Sequence, residues 1–257
     1  MMQSPETFRA AIRAKYPDAF SLHHDVADTL EQAIEKPRRL AGDGARAADM
    51  LMVQAYKAHA SVYFLAVRAQ VEDGATIARR LLEIAVQTIY ITADSDPDVR
   101  KERAGRYLAH LWDSVPDEWR ATMPIPERNA WEAYYAAHSH LLPEKRKSWG
   151  PNFKSMFEEI GHLTTYEQDY SLLSSIAHGT PPSLVRDYAQ GVVALRPDTF
   201  VPVVLVFASR YYLASADQWN GVFHLVEPAT LTSLIDRASR FYAQSGAQSS
   251  PPANGAA

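Results

Sequence analysis

Residues 76–93, TIARRLLEIAVQTIYITA, decide the fold class. On a helical wheel at about 100° per residue, Ile77, Leu81, Leu82, Ile84, Ala85, Val86, Ile89 and Ile91 fill an apolar arc of roughly 220°. An arc that wide belongs to a helix enclosed by other helices, not to one lying on a surface. The remaining strip carries Arg79, Arg80, Glu83, Gln87 and Tyr90. Glu83 follows Arg79 by four residues and Arg80 by three, the spacing of intrahelical ion pairs worth about 0.2–0.5 kcal/mol. Two readings of the strip stay open: a narrow solvated face, or a face that meets another polar strip inside the protein.

Outward from this segment the apolar spacing stays helical. Leu22, Val26, Leu30 and Ile34 recur every four residues, and Pro37 ends that run before the loop at Gly42 and Gly44. A long helix is expected over about 45–71, closed by Gly74. Ser4 before Pro5 and Glu6 caps a first helix, and Asp96-Pro97-Asp98 opens another, with acidic groups at the positive end of the helix dipole. Residues 115–150 are broken by Pro116, Pro124, Pro126 and Pro143 around an aromatic helix over 131–142. Thr164 and Glu167 have the spacing of a capping box and open a helix that Gly179, Pro181 and Pro182 close. Two last helices are expected over about 200–220 and 228–243. The reading is therefore an all-α protein, a single bundle of about eight to ten helices over residues 1–243, with a short β-hairpin left open at 188–196 around Gly191. The Ser-, Pro-, Gly- and Ala-rich stretch 244–257 reads as a disordered tail.

Composition narrows the chemistry. The chain has 257 residues, 47% of them hydrophobic, and a formal net charge of -4. It contains no cysteine, which excludes disulfide scaffolds, thiolate metal sites and cysteine nucleophiles. With 30 acidic against 26 basic residues, phosphate contacts would have to come from a local patch, such as Arg100, Lys101, Arg103 and Arg106. That stretch is otherwise an ordinary solvated helix face. The most apolar segment, residues 201–208, is far shorter than the roughly 20 residues a membrane helix needs, and the amino terminus lacks the apolar run of an export signal. A cytoplasmic location without membrane contact is expected.

No dinucleotide fingerprint, phosphate-binding loop or serine elbow occurs, and no cofactor is expected. Glu159 and His162 have the i, i+3 spacing of a helical di-iron pair, but a second such pair is missing. His138 with His140, and His23 with His24, are spaced so that their rings diverge on a helix. No metal site is expected.

A second polar line lies over residues 166–178. Tyr166, Tyr170, Ser174 and His178 recur every four residues beside Leu172, Leu173, Ile176 and Ala177, which should face the core. Buried hydroxyls and imidazoles need hydrogen-bond partners, and the strip at Arg79 and Glu83 is the natural candidate. The alternative is a structural network in which His178 caps its helix.

Three blocks carry a resemblance. Arg79-Arg80-Leu81-Leu82-Glu83 leading into Ile89-Tyr90, then Trp149-Gly150 with Met156, Ile160 and Gly161, and then Tyr166-x3-Tyr170-x2-Leu173-Ser174-x3-His178-Gly179 resemble the uncharacterised bacterial domain-of-unknown-function family numbered 5677, over roughly residues 50–220. That family is similar in pattern to helical HEPN-type proteins, many of which bind or cleave RNA in toxin–antitoxin and phage-defence systems. The resemblance implies His178 as general acid/base, Ser174 and Tyr170 as the groups that orient it, and Arg79 or Arg80, paired with Glu83, as the phosphate contact. RNA is then the expected partner, alongside a second copy or another protein. The sequence departs from the HEPN nuclease pattern, because no arginine stands four to six residues before His178. Arg103 and His110 do have that spacing, a match that chance alone supplies in a chain this rich in arginine and histidine. The competing reading is a non-catalytic interaction or scaffold protein whose Arg-Glu and Tyr-Ser-His lines lock two helices together.

Overall fold

Ser4 accepts a hydrogen bond from the Thr7 backbone N–H at 3.1 Å and opens α1 (Pro5–Lys15). The structure is a computed structural model that describes residues 4–142, 149–178 and 198–249. Pro17 starts α2 (Pro17–Ile34), in which Leu22, Val26 and Leu30 are fully buried, as the four-residue spacing requires. α3 (Gly42–Ala66) begins earlier than residue 45, because Gly42 adopts φ 81° and turns the chain into the helix.

α3 also ends earlier than expected, and the following helix α4 (Val71–Thr92) starts before residue 76. Between them Ala69 takes a left-handed φ of 51°. Gly74 does not close a helix; it lies in the first turn of α4. A Cβ there would stand 3.0 Å from Val204 Cγ1, so the glycine allows close helix–helix approach.

Asp96 caps α5 (Pro97–Asp113), its carboxylate accepting from the Asp98 N–H at 2.8 Å. α6 (Asp117–Thr122) and α7 (Ile125–His138) contain no buried residue, so α7 is peripheral and starts six residues before Trp131. It is held to α5 by Trp131 stacked on Trp112 at 5.8 Å, and by His138 lying close to Gly105. Asn152 caps α8 (Phe153–Glu159). Then come α9 (Leu163–Thr165), a π-helical turn (Tyr166–Tyr170) and α10 (Ser171–Ala177). The expected capping box does not form: the helix starts before Thr164, and its cap residue His162 gives no side-chain cap bond.

α11 (Val201–Phe223) and α12 (Pro228–Ser249) complete the described helices. His224 ends α11 at φ 53°, and the Asn220 side chain brackets the turn by bonding both the N–H and C=O of Val226. α12 continues past residue 243, the end expected from the sequence. The fold is all-α, and no strand occurs among the described residues. The hairpin expected at 188–196 and the tail from residue 250 lie outside the described residues.

α4 is the axis of the bundle, touching α3, α5, α8, α10 and α11. Ala78, Leu81 and Ile91 are fully buried and Ile84 nearly so, within one apolar cluster reaching from Ile12 to Ala238. No described helix is long and apolar enough to cross a membrane.

Candidate functional site

The wide apolar arc of α4 fixes where its polar strip must point. The strip is covered in parts: Gln87 is buried, Tyr90 is buried beneath Arg103 of α5 and beside Trp149, Arg79 is half-buried against the π-helical turn and α10, Glu83 is half-buried, and Arg80 is exposed. At Arg79 the strip meets the polar line of residues 170–174, as the second of the two open readings has it, while Arg80 keeps a solvated position. Arg79 Nη1 donates to Ser174 Oγ at 3.4 Å, and its guanidinium lies 5.4 Å from the Tyr170 ring centroid. Glu83 takes Arg79 at 3.9 Å and Arg80 at 3.2 Å. Arg80, more exposed, also donates to Gln54 at 3.3 Å, and Gln54 donates in turn to the Tyr107 hydroxyl.

Four of the six expected residues, Arg79, Glu83, Tyr170 and Ser174, therefore meet directly, and Arg80 joins them through Glu83. His178 lies one turn beyond Ser174 at the exposed end of α10, where its backbone N–H bonds the Ser174 carbonyl at 3.0 Å. Ser174 and Tyr170 engage Arg79 instead of orienting His178, because their side chains leave α10 and the π-helical turn toward α4 while His178 stands past the last turn.

The basic stretch on α5 is mostly used within the fold. Arg103 donates to the Tyr90 carbonyl at 2.8 Å, lies 3.8 Å over the Tyr90 ring, and pairs with Asp94 and Glu159, both at 3.3 Å. Arg100 donates to the Asp94 carbonyl and Arg106 to Glu102. Lys101 is the exposed member. Arg103 thus clamps α4 and α8 onto α5, a structural use of the cation in the chance Arg103–His110 pair. No three described histidines or acidic residues come together in a metal-sized group.

A second polar cluster escaped the sequence reading. Asp169, on the π-helical turn, is buried, and its carboxylate accepts from Arg210 at 3.0 Å and from the hydroxyls of Tyr211 and Tyr242. Burial pushes both phenols up, and the Asp169 carboxylate adds to it. The Arg210 guanidinium lies 4.0 Å from the Tyr242 ring centroid and lines a cleft beside α11. The available signal was Arg210-Tyr211-Tyr212, a charged and phenolic triplet interrupting the apolar run of α11. Such a triplet needs a buried counter-charge.

A third buried polar group joins α2, α3 and α11. His23 and His59 stack at 3.6 Å and 5°, His23 Nε2 lies 3.1 Å from the His59 carbonyl oxygen, and His59 packs on Tyr212 at 4.6 Å. Desolvation pulls His23 down to about 4 and lowers His59 well below its usual value.

A family model described as a family of unknown function, DUF5677, matches residues 47–190, more than half of the chain. The chain belongs to DUF5677. The match takes in Arg79, Glu83, Tyr170, Ser174 and His178, and it ends short of the residue 220 or so expected for the family-like core. Arg210, Tyr211 and Tyr242 lie beyond it, so the Asp169 cluster joins the DUF5677 region to the two helices that follow. No curated protein and no solved structure matches the chain.

Proposed function

We propose that this DUF5677 protein is a cytoplasmic, HEPN-like helical protein that binds or cuts RNA in stress or phage defence, through a site made of Arg79, Arg80 and His178. The observation that carries the reading is the meeting of Arg79 with Ser174 and Tyr170, 95 and 91 residues further along the chain, one turn below the exposed His178. Ser174, Tyr170 and Glu83 hold the Arg79 guanidinium in place, a positioning role. Arg79 and the more exposed Arg80 supply the cation for a phosphate, and His178 supplies an exposed imidazole as the proton acceptor. In a cleavage step the ribose 2′-oxygen would attack the adjacent phosphorus, His178 would take its proton, and the departing 5′-oxygen would be protonated by water.

The interaction-protein reading also has a specific observation in its favour. Glu83 pairs with both arginines, so one of their two charges is neutralised inside the fold. The deciding experiment follows a 5′-labelled single-stranded RNA with the full chain, with His178→Ala and with Arg80→Gln, each checked for folding by circular dichroism. Cleavage lost in His178→Ala and affinity lost in Arg80→Gln are expected. Equal cleavage by wild type and His178→Ala removes His178 as a catalyst. A wild type that neither retains nor cuts RNA leaves the interaction reading, in which these residues only lock α4 to α10.

A further inference from the structure

We infer that the cleft along α11 between Arg210 and Asp217 is a binding site for a small amphipathic carboxylate, held head-first against Arg210. The two residues are seven apart on one helix, so they share a face and are separated by about 10 Å along the axis. Leu213 and Ala214 form the floor between them, with Ile160 and Ile235 among the walls. The cleft encloses about 540 Å³, within the size range of small-molecule sites. A smaller cavity of about 110 Å³ adjoins it beneath Leu82 and Phe157, sharing Arg210, His162, Ile89 and Ala214 with it.

The head-group assignment rests on how Arg210 is held. One of its N–H groups is directed to Asp169 Oδ2, and one face of its guanidinium is covered by Tyr242. A guanidinium carries five N–H donors in a planar fork, and fixing it by one edge and one face leaves a preorganised edge for a second planar acceptor. Asp169 is itself satisfied by three donors, so it does not need the whole of Arg210. A carboxylate matches that fork, and an alkyl body matches the floor and walls. Asp217, exposed at the far end, disfavours a second anion there. None of these residues belongs to the Arg79–His178 site, so the inference stands apart from the RNA reading.

Calorimetric titration of the full chain with octanoate, octan-1-ol and suberate at fixed ionic strength tests the site. Octanoate should bind saturably at one site, with octan-1-ol and suberate each at least tenfold weaker. Asp217→Asn should narrow the gap between octanoate and suberate. Ala214→Phe, which fills the floor and leaves the Asp169–Arg210 pair intact, should weaken octanoate at least tenfold. The double variant Asp169→Asn/Arg210→Gln, which removes both charges together, should lose the preference for octanoate over octan-1-ol. The inference is overturned if folded wild type shows no saturable octanoate binding, if Ala214→Phe binds octanoate as the wild type does, or if suberate binds as tightly as octanoate.

Discussion

Tyr170 and Asp169 are neighbours in the chain, yet they serve different clusters. Tyr170 packs under Arg79 of α4, while Asp169 is gripped by Arg210 and Tyr211 of α11 and by Tyr242 of α12. The first cluster is half-open and its contacts are long, with 3.4 Å to Ser174 and 3.9 Å to Glu83. The second closes over a carboxylate that is 2% exposed, with Arg210 reaching from it to the cleft beside α11. Helix geometry permits the difference. Successive side chains leave a helix about 100° apart, so Asp169 and Tyr170 can each engage a different neighbouring helix. The open cluster suits contact with something outside the protein, whereas the closed one holds three helices together at Asp169 and leaves only an edge of Arg210 to the cleft beside α11.

The largest expected effect breaks the closed side. Asp169→Ala leaves Arg210 without its counter-charge and two phenol hydroxyls without an acceptor, and should cost about 3–5 kcal/mol of unfolding free energy. Urea denaturation of the variant beside wild type measures this. A loss below about 1 kcal/mol would mean that the cluster does not bind α11 and α12 to the turn.

Acid separates that cluster from the buried histidines. His23 titrates at about 4 when folded against 6.5 in the unfolded chain, so between these values the unfolded chain binds the proton first and stability falls as pH falls. The loss is on the order of 3 kcal/mol, complete only below about pH 4, and His59 contributes in the same direction. Denaturant melts from pH 7 to pH 4 should show it in wild type and equally in Asp169→Ala. His23→Gln should flatten the slope, and a slope unchanged in that variant would place the acid sensitivity elsewhere.

The open cluster was legible in the sequence because each half of it obeys helical spacing. The wide arc of α4 left a strip for Arg79 and Glu83, and the four-residue recurrence of Tyr170 and Ser174 supplied a line to meet it. The closed cluster was hidden because Glu167-Gln168-Asp169 looks like an exposed polar stretch. Asp169 nevertheless stands four residues before the buried Leu173 and seven before Ile176, on the core-facing side, and its partners lie 41 and 73 residues away. Helix ends were misjudged for a related reason. Gly74 resembles a terminator locally, and its actual use, the approach of Val204, depends on a helix 130 residues distant.

Smaller effects belong to the open side. Arg79→Gln removes a pair at 3.9 Å, a cation over a ring and a long hydrogen bond, and should cost about 1 kcal/mol in the same denaturation experiment. A cost approaching that of Asp169→Ala would erase the contrast and make the two clusters one structural unit.

Ser174→Ala is the finest test. The hydroxyl accepts one hydrogen bond at the long limit of such contacts, and the guanidinium that donates it keeps Glu83 and Tyr170, so the loss should be about 0.5 kcal/mol. If the side chain exists to hold Arg79 toward a phosphate, RNA affinity should fall severalfold while the melting temperature hardly moves, and Ser174→Thr, which keeps the hydroxyl, should restore it. A lock between two helices gives the opposite pattern, in which whatever stability is lost is regained with threonine and RNA affinity does not respond. The distinction follows from where the strain of a missing hydroxyl falls: on a cation that faces outward in the first case, and on helix packing in the second.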